Sequence, residues 1–367
     1  MESSVLNILL WGLTGLLILA TLMPLSKLPH GSVRGLAFPR EQFFGLALVL
    51  AIAMFFTQSG HARWIGTLLL LLVAGAQAIY IAKFTPFWRR QSVKADGDLV
   101  QARDRRVSLL ASNVKLSNRA YGRLISLIRE RDPDIGMAIE VDADWIAALS
   151  QEFRADYPYW VEVPKTNGYG LCVMSKLELR DTQVREMITD GVPSIRATVV
   201  LRDGAKFRLY VVHPEPPVID HDTQGRDAEI ALIGMEAAED PLPAIVTGDL
   251  NDVAWSTTTR RFQRLSGLLD PRVGRGFYNT FSATMPWMRW PLDHLFHDPK
   301  FRLVYMERTE KIGSDHFPMW FVLALAASEK ADADPGESDV EEEREVVEMV
   351  EDEKKREREA IGSDWED

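Results

Sequence analysis

Three long stretches near the start of the chain carry no charged residue and are rich in Leu, Ile, Val, Ala and Phe. They run over Ser3 to Ser26, Gln42 to Gly60 and Trp64 to Ala82, and the shortest has 19 residues. A helix of that length extends about 28 Å, close to the thickness of the hydrocarbon core of a bilayer. We therefore predict three transmembrane helices, at about 3–25, 42–60 and 64–82, in a membrane region that covers residues 1–95.

The basic residues around these stretches predict the orientation of the membrane region. The first stretch could also be a cleaved signal peptide, but its only early charge is the acidic Glu2 and two more apolar stretches follow it. The positive-inside rule then puts the N-terminus outside and the large domain in the cytoplasm. The second stretch is the weakest, because its strongly apolar core, Phe43 to Phe56, is short; if it does not cross, the domain lies on the opposite side. The basic residues are Lys27, Arg34 and Arg40 after the first stretch, Arg63 after the second, and Lys83, Arg89, Arg90 and Lys94 after the third.

From Arg106 onward the pattern changes to short β-type runs interleaved with helical spacing and separated by Gly, Pro, Asp and Asn. This alternation is typical of a layered α/β or α+β domain. We assign the domain to residues 106–327, after a linker at 96–105, and predict a helix over Ala120 to Arg131. The predicted strands are Val107–Ser112, Ile135–Ile139, Tyr169–Met174, Ile195–Leu201, Phe207–Val212, Ala244–Thr247, Leu292–Phe296 and Met319–Leu325.

Polar, titratable side chains recur at one end of these strands. The clearest case is Ala244 to Asp252, where an apolar strand runs into Asp249 and Asn251. Such a short polar run is equally typical of a turn in which the side chains bond their own backbone. Several such ends meeting at one rim would instead suit a hard divalent cation and a phosphoryl oxygen. The other strand-end residues are Asn113, Glu140 and His213, with Ser314, Asp315 and His316 before the last strand.

Asp293 is the most informative single carboxylate, because it lies inside the apolar run from Trp290 to Phe296. A buried carboxylate is costly unless it is paired with a hydrogen-bond donor or a positive charge. A histidine such as His316 is a suitable partner. We therefore predict that Asp293 and His316 contact each other in the folded domain.

The negative charge of the chain is concentrated in its last 40 residues. From Ser328 onward there are 18 Asp or Glu against 6 Lys or Arg, a net charge of −12 compared with −11 for the whole chain. We predict that this tail, residues 328–367, is disordered or weakly helical, since Val346, Val347, Met349 and Val350 can bury little area. The sequence leaves open whether the tail repels nucleic acid, binds a basic partner or only adds solubility. The single cysteine, Cys172, excludes intrachain disulfides and cysteine-based zinc sites.

The strand-end residues also carry a resemblance to a known family. In this order they resemble the endonuclease/exonuclease/phosphatase superfamily over roughly Arg106 to Leu325, and more narrowly its bacterial membrane-anchored branch. The resemblance implies a four-layer α/β (α+β) sandwich of two mixed β-sheets flanked by helices, a Mg²⁺ or Mn²⁺ cofactor and a location in the bacterial inner membrane. The motifs that match are Asn113, Glu140 in Ala-Ile-Glu-Val-Asp, His213, Gly248-Asp-Leu-Asn251, Leu292-Asp-His294 and Ser314-Asp-His316.

The resemblance also implies a role for each of these residues. Glu140 and Asn113 would hold the metal ion, with Asp315 supporting the metal region. His316, oriented by Asp293, would act as a base or polarise the phosphate, and Asp249 would activate or align the attacking water. Three further residues would contact the phosphate: Asn251, His213 and Tyr169. Ile139 departs from the family pattern, since many relatives have Gln before the metal-binding Glu.

The sequence indicates the class of reaction more clearly than it indicates the substrate. Between Val253 and Leu292 there are six arginines against one acid, interleaved with aromatic residues that could grip a phosphate backbone and stack bases. The same residues could form a solvated helix face or a lip beside a lipid headgroup. Residues 107–327 hold 30 acids against 25 bases, whereas a nuclease more often has a net basic face. Three hypotheses follow: a membrane-anchored phosphoesterase acting on a lipid headgroup or small ester, a membrane-tethered nuclease, and an idle scaffold that acts through its acidic tail.

Overall fold

The computed structural model describes residues 2–26, 28–326 and 335–362, with side chains from Val5 onward. Within these ranges the chain forms ten α-helices and eleven strands. The helices are α1 (Glu2–Leu22), α2 (Gly31–Gly35), α3 (Arg40–Thr57), α4 (Gly60–Ile81), α5 (Gly97–Gln101), α6 (Tyr121–Arg131), α7 (Ala143–Phe153), α8 (Gln224–Glu239), α9 (Thr257–Ser266) and α10 (Val340–Glu353). The strands are β1 (Arg106–Asn113), β2 (Ile135–Ile139), β3 (Tyr159–Val163), β4 (Leu171–Ser175), β5 (Glu178–Glu186), β6 (Pro193–Val200), β7 (Lys206–Val212), β8 (Ala244–Asp249), β9 (Asp293–His297), β10 (Phe301–Arg308) and β11 (Met319–Leu325).

The strands form two mixed sheets. The first sheet has six strands in the order β10-β11-β1-β2-β4-β3, and the second has five in the order β5-β6-β7-β8-β9. In the first sheet β1 runs parallel to β2 and antiparallel to β11. In the second sheet β7 runs parallel to β8, which pairs antiparallel with β9. Parallel neighbours end at the same edge of a sheet, so β1 with β2, and β7 with β8, each present two strand ends side by side.

Alternation of side chains along β1 explains how the layers are held together. Val107, Leu109 and Ala111 pack into the cluster between the two sheets, whereas Leu110 points to the other face and packs with α6 and α7. The second sheet is covered on its outer face by α8 and α9. Each fully buried aliphatic side chain stabilises this arrangement by about 1.5–3 kcal/mol. The predicted four-layer sandwich of two mixed sheets flanked by helices is confirmed.

Three N-terminal helices are long and apolar enough to cross a membrane, judged by length and composition: Val5–Leu25, Arg40–Thr57 and Gly60–Phe84. They pack against one another around Leu50, Met54 and Leu70. A polar chain also joins all three, since Arg40 Nη1 donates to Gln77 Oε1 at 2.9 Å and Gln77 Nε2 donates to Thr21 Oγ1 at 2.9 Å.

Residues 28–39, which join α1 to α3, pack directly on the globular domain. The Gly31 amide donates to the His221 carbonyl at 2.8 Å, and the Trp255 indole donates to the Ala37 carbonyl at 2.7 Å. A Cβ on Gly31 would lie 1.8 Å from the Val218 carbonyl oxygen, so only glycine allows this approach. The segment between the first two apolar helices therefore makes specific contacts with the domain. The residues predicted as a linker, 96–105, include the short helix α5.

Where the structure describes the acidic tail, at residues 335–362, it contains helix α10, in line with the helical alternative of the prediction. Helix α10 packs on α8, and Val346 and Val350 are buried beside Ala228 and Leu265. The expectation that these valines bury little area is wrong because α8 and α9 offer them an apolar groove. Arg264 on α9 adds ion pairs to Glu342, with Arg264 Nη2 2.5 Å from Glu342 Oε1. The rest of the predicted tail lies outside the described residues.

Glu229 on α8 provides a test of how burial affects stability. The side chain is buried, its Oε1 has no hydrogen-bond partner among the described residues, and burial, reinforced by Glu215 and opposed by Arg185, raises its pKa to about 8. Because the folded pKa lies above the unfolded one, the protonated form favours folding, and this contribution is lost as pH rises from about 4 to about 8.

We expect Glu229→Gln to raise the melting temperature by a few degrees at about pH 9 and much less at about pH 5, because the amide cannot ionise. Thermal unfolding of both proteins in the same detergent at the two pH values checks this. An equal change at both values would show that Glu229 does not titrate as inferred.

Candidate active site

The predicted strand-end residues meet at one pocket of about 400 Å³ between the edges of the two sheets. We call it the strand-end pocket. Asn113 and Asp293 lie behind its wall and bond to residues that line it. The predicted residues that line it are Glu140, Tyr169, His213, Asp249, Asn251, Asp315 and His316.

Asn113 joins the carboxylates of the two sheets. The register of β1 against β2 pairs Asn113 with Ile139 and so puts Glu140 next to it. The Asn113 amide nitrogen donates to Glu140 Oε1 at 2.7 Å and to Asp249 Oδ2 at 3.0 Å. Its oxygen accepts from the Lys115 amide at 3.0 Å. In this orientation Asn113 holds the carboxylates in place through its nitrogen, and its predicted role as a metal ligand stays a prediction.

Backbone geometry fixes the Asp249 segment against the end of β7. Gly248 has φ 147°, and a Cβ there would lie 1.9 Å from the Val212 carbonyl oxygen, so β8 approaches β7 in a way that only glycine permits. Glu140 and Asn251 have left-handed backbones, with φ of 64° and 51°. This conformation is uncommon for residues other than glycine and costs on the order of 1 kcal/mol or more each. The fold therefore holds two of the predicted residues in strained positions.

Asp293 and His316 form the predicted pair. His316 Nδ1 lies 2.7 Å from Asp293 Oδ2, and Nε2 lies 3.5 Å from Asp249 Oδ2. Burial lowers the pKa of His316, but the charges of Asp293 and Asp249 outweigh it and raise the pKa to about 10. The ring is therefore an imidazolium that donates to Asp293 and directs its second N–H toward Asp249.

His213 differs from His316 in its charge. It lies directly after β7 and is buried, with Nε2 3.9 Å from Glu140 Oε1. Burial lowers its pKa to about 4, against the raising effect of Asp249. Near neutral pH His213 is therefore uncharged, and it can accept or donate a single hydrogen bond beside the imidazolium of His316.

Two predicted phosphate contacts are already engaged with other parts of the chain. The Tyr169 hydroxyl donates to the carbonyl of Ile361, in the tail. The side-chain nitrogen of Asn251 donates to the Pro214 carbonyl at 2.9 Å, which leaves its second N–H available. The structure thus brings both residues to the pocket and gives the Tyr169 hydroxyl a partner that the sequence does not indicate.

The donor set fits a divalent cation. Ligand atoms of Glu140, His213 and Asp249 lie within 4.8 Å of one another. Those of Asp249, Asp293 and His316 are equally close, but a protonated His316 has no lone pair to offer a metal ion. Burial raises the pKa of Glu140 to about 7 although His316 and Asn113 oppose this effect. A buried carboxylate whose charge is incompletely compensated favours a bound cation, and carboxylate oxygens are the ligands that Mg²⁺ and Mn²⁺ prefer.

Several residues at the pocket have no clear signal in the sequence. Lys115 lines the pocket and lies 3.1 Å from Asp315, and its only signal is its position two residues after Asn113. Phe38, from residues 28–39, and Ile361 and Gly362, from the tail, form other parts of the wall. Apolar residues and glycine are typical of many loops, so only the folded chain shows that these three line the pocket.

The arginine-rich segment does not form one basic surface. Arg261 and Arg264 pair with Glu342 on α10, and the buried Arg272 pairs with Asp270 at 2.8 Å. Arg275 and Arg289 line a separate, more open cavity of about 800 Å³ beside the start of α3, which contains none of the predicted site residues. The larger cavity is therefore not the place where the strand-end chemistry is assembled.

Comparisons with solved structures bear on the fold. Structures similar to this chain include an endonuclease/exonuclease/phosphatase from Beutenbergia cavernae, with 17% identity over 60% of this chain and 72% of that one and a TM-score of 0.50. A family protein from Bacteroides thetaiotaomicron has 15% identity over 62% and 98% of the two chains and a TM-score of 0.50. D. rerio TDP2 complexed with a single-strand DNA product has 20% identity over 59% and 98% and a TM-score of 0.50.

At these identities the structures show a shared fold. No curated protein matches the chain by sequence. A model of the Endonuclease/Exonuclease/phosphatase family matches residues 110–316, which is more than half of the chain and extends from within β1 to His316. The chain is therefore a hydrolase that belongs to the endonuclease/exonuclease/phosphatase family.

Proposed function

We propose that this protein is a membrane-anchored, divalent-metal-dependent phosphoesterase that hydrolyses a lipid headgroup or another small phosphoester at the cytoplasmic face of a bacterial inner membrane. The observation that carries the chemistry is the chain of contacts from Glu140 through Asn113 and Asp249 to His316 and Asp293. The location is supported by Phe38, which lies between the first two apolar helices and also lines the strand-end pocket.

Glu140 would hold the Mg²⁺ or Mn²⁺ ion, together with the Asp315 and Asn113 that the resemblance implies. When bound, the ion polarises a phosphoryl oxygen and offsets charge that develops in the transition state. Asp249 is suited to align the attacking water, because its Oδ1 accepts from the Asn251 amide at 2.9 Å and its Oδ2 from Asn113. Its carboxylate is thereby held in one orientation.

His316 is better suited to polarise the phosphate than to act as a base, because its raised pKa keeps it protonated. In the proposed reaction Asp249 accepts a proton from water as the water oxygen bonds to phosphorus. The bond from phosphorus to the leaving alcohol then breaks, and the alcohol takes a proton from solvent. The N–H of His316, neutral His213 and the free N–H of Asn251 would donate to the phosphoryl oxygens.

The pairing of the arginine-rich segment favours a small ester over a nucleic acid. Two of the arginines that could contact a phosphate backbone, Arg261 and Arg264, are compensated by Glu342. The acidic tail would therefore have its basic partner within the same chain, on α9. The single-strand DNA product is a feature of the TDP2 structure, and the likeness to it concerns the fold.

Substitution of the two central residues tests the assigned chemistry. We expect Asp249→Asn and His316→Gln to lower kcat for bis(p-nitrophenyl) phosphate by about 100-fold or more, because each removes a group that acts in the transition state. Removal of divalent ions with EDTA should abolish the activity, and Mg²⁺ or Mn²⁺ should restore it. Asp156→Asn and His61→Gln, at exposed positions, serve as matched controls. Activity that survives in both site variants would contradict the assignment.

A substrate panel separates the proposed function from a nuclease. We expect the full chain with Mg²⁺ to hydrolyse phospholipid headgroups in vesicles or small phosphoesters faster than plasmid DNA or RNA. Rates for each substrate, with Asp249→Asn as the blank, check this. Preferential cleavage of DNA or RNA would favour the nuclease, and no hydrolysis of any substrate would favour the scaffold.

The orientation of the domain can be measured independently. Three crossings with basic residues on the inner side predict a cytoplasmic C-terminus. A reporter that is active only in the cytoplasm, fused after Asp367, should be active, whereas one that needs export should not. The reverse result would overturn the cytoplasmic assignment of the domain.

A further inference from the structure

The C-terminal segment, residues 354–362, continues from α10 to the strand-end pocket. Ile361 and Gly362 form part of the pocket wall. The carbonyl of Ile361 accepts from the Tyr169 hydroxyl, which is one of the groups expected to contact the phosphate. A segment nearly 200 residues away along the chain therefore occupies space and hydrogen-bonding capacity at the site.

A buried carboxylate anchors this segment. Arg358 Nη1 and Nη2 donate to the two oxygens of Glu215, each at 2.6 Å, and the Ile361 amide donates to Glu215 Oε1 at 2.9 Å. Glu215 is 1% exposed, so its charge depends on these donors. A two-point contact of this kind is among the strongest that arginine makes with a carboxylate.

The anchor is attached to the loop that carries the site residues. Glu215 follows His213 by two positions, and the intervening Pro214 accepts the hydrogen bond from Asn251. The first turn of α8 leaves room for the contact, because a Cβ on Gly225 would lie 2.2 Å from Arg358 Nη2 and 2.4 Å from Glu215 Oε2. The C-terminal segment is thus built into the site region and not merely laid over its surface.

We propose that the C-terminal segment is a specificity-determining wall that limits the strand-end pocket to short phosphoesters; this inference rests on the proposed function. The effect of the wall is steric. Ile361 and Gly362 block the path that a strand would take beyond the reacting phosphate.

A series of esters with one leaving group and a growing second substituent tests the wall. The series is bis(p-nitrophenyl) phosphate, the p-nitrophenyl ester of thymidine 5′-phosphate, and the same ester of a thymidine tetranucleotide. The proteins are the full chain, Arg358→Ala, and a chain that ends at Lys354, which keeps α10. Arg344→Ala, an exposed arginine of α10, is the matched control.

We expect the shortened chain to gain about tenfold or more in kcat/KM for the tetranucleotide ester and less than about threefold for bis(p-nitrophenyl) phosphate. Arg358→Ala should show a smaller gain with the same dependence on length, and Arg344→Ala none. Thermal unfolding of each variant identifies a loss of folding, and Arg358→Ala keeps the test valid if the shortened chain is unstable.

Two results would contradict the proposal that the C-terminal segment limits the pocket to short esters. One is an unchanged ratio of long to short substrates in both variants. The other is an equal gain for every ester, which would make the segment a general inhibitor. If the intact chain hydrolyses none of the esters while the variants also fail, the proposed function is wrong and this inference falls with it.

Discussion

The side-chain amide of Asn113 bonds one carboxylate from each sheet, Glu140 at the end of β2 and Asp249 at the end of β8. This contact exists only because the apolar faces of the two sheets pack together and bring their edges into register. Both carboxylates belong to strands whose parallel neighbours end beside them, so the donors are fixed by backbone ladders and not by flexible loops. The geometry of the site thus depends on the packing of the two sheets against each other.

The packing of the two sheets also concentrates charged side chains where water is largely excluded. Asp249 and Asp293 are buried around His316, and their combined field keeps its imidazole protonated. His213, a few ångströms from Glu140, stays neutral because burial dominates there. Two histidines of one pocket therefore have different charge states, which is how a single site can offer both a fixed positive charge and a neutral hydrogen-bonding group.

Much of this arrangement follows from local patterns in the sequence. Asn113, Glu140, His213 and Asp249 could be recognised because each interrupts an apolar run at a strand end, and Asp293 because an isolated carboxylate in such a run needs a partner. The weakly alternating strands β3, β5 and β10 were not predicted, since their exposed edges carry mixed polar residues. Contacts such as Tyr169 with Ile361 could not be predicted, because nothing local links residues so far apart. The same holds for α10, whose two buried valines depend on a groove supplied by other helices.

The backbone bonds between residues 28–39 and the loop before α8 have a mechanical consequence. The Thr223 amide donates to the Pro29 carbonyl at 2.6 Å, and the Gly31 amide donates to the His221 carbonyl at 2.8 Å. These bonds form a short β-like clamp, so the domain cannot swing freely on a chain of linker residues. These backbone bonds then set the position of the strand-end pocket relative to the apolar helices. If the apolar helices cross a membrane as proposed, a substrate must reach the strand-end pocket at the distance from the bilayer that these contacts set.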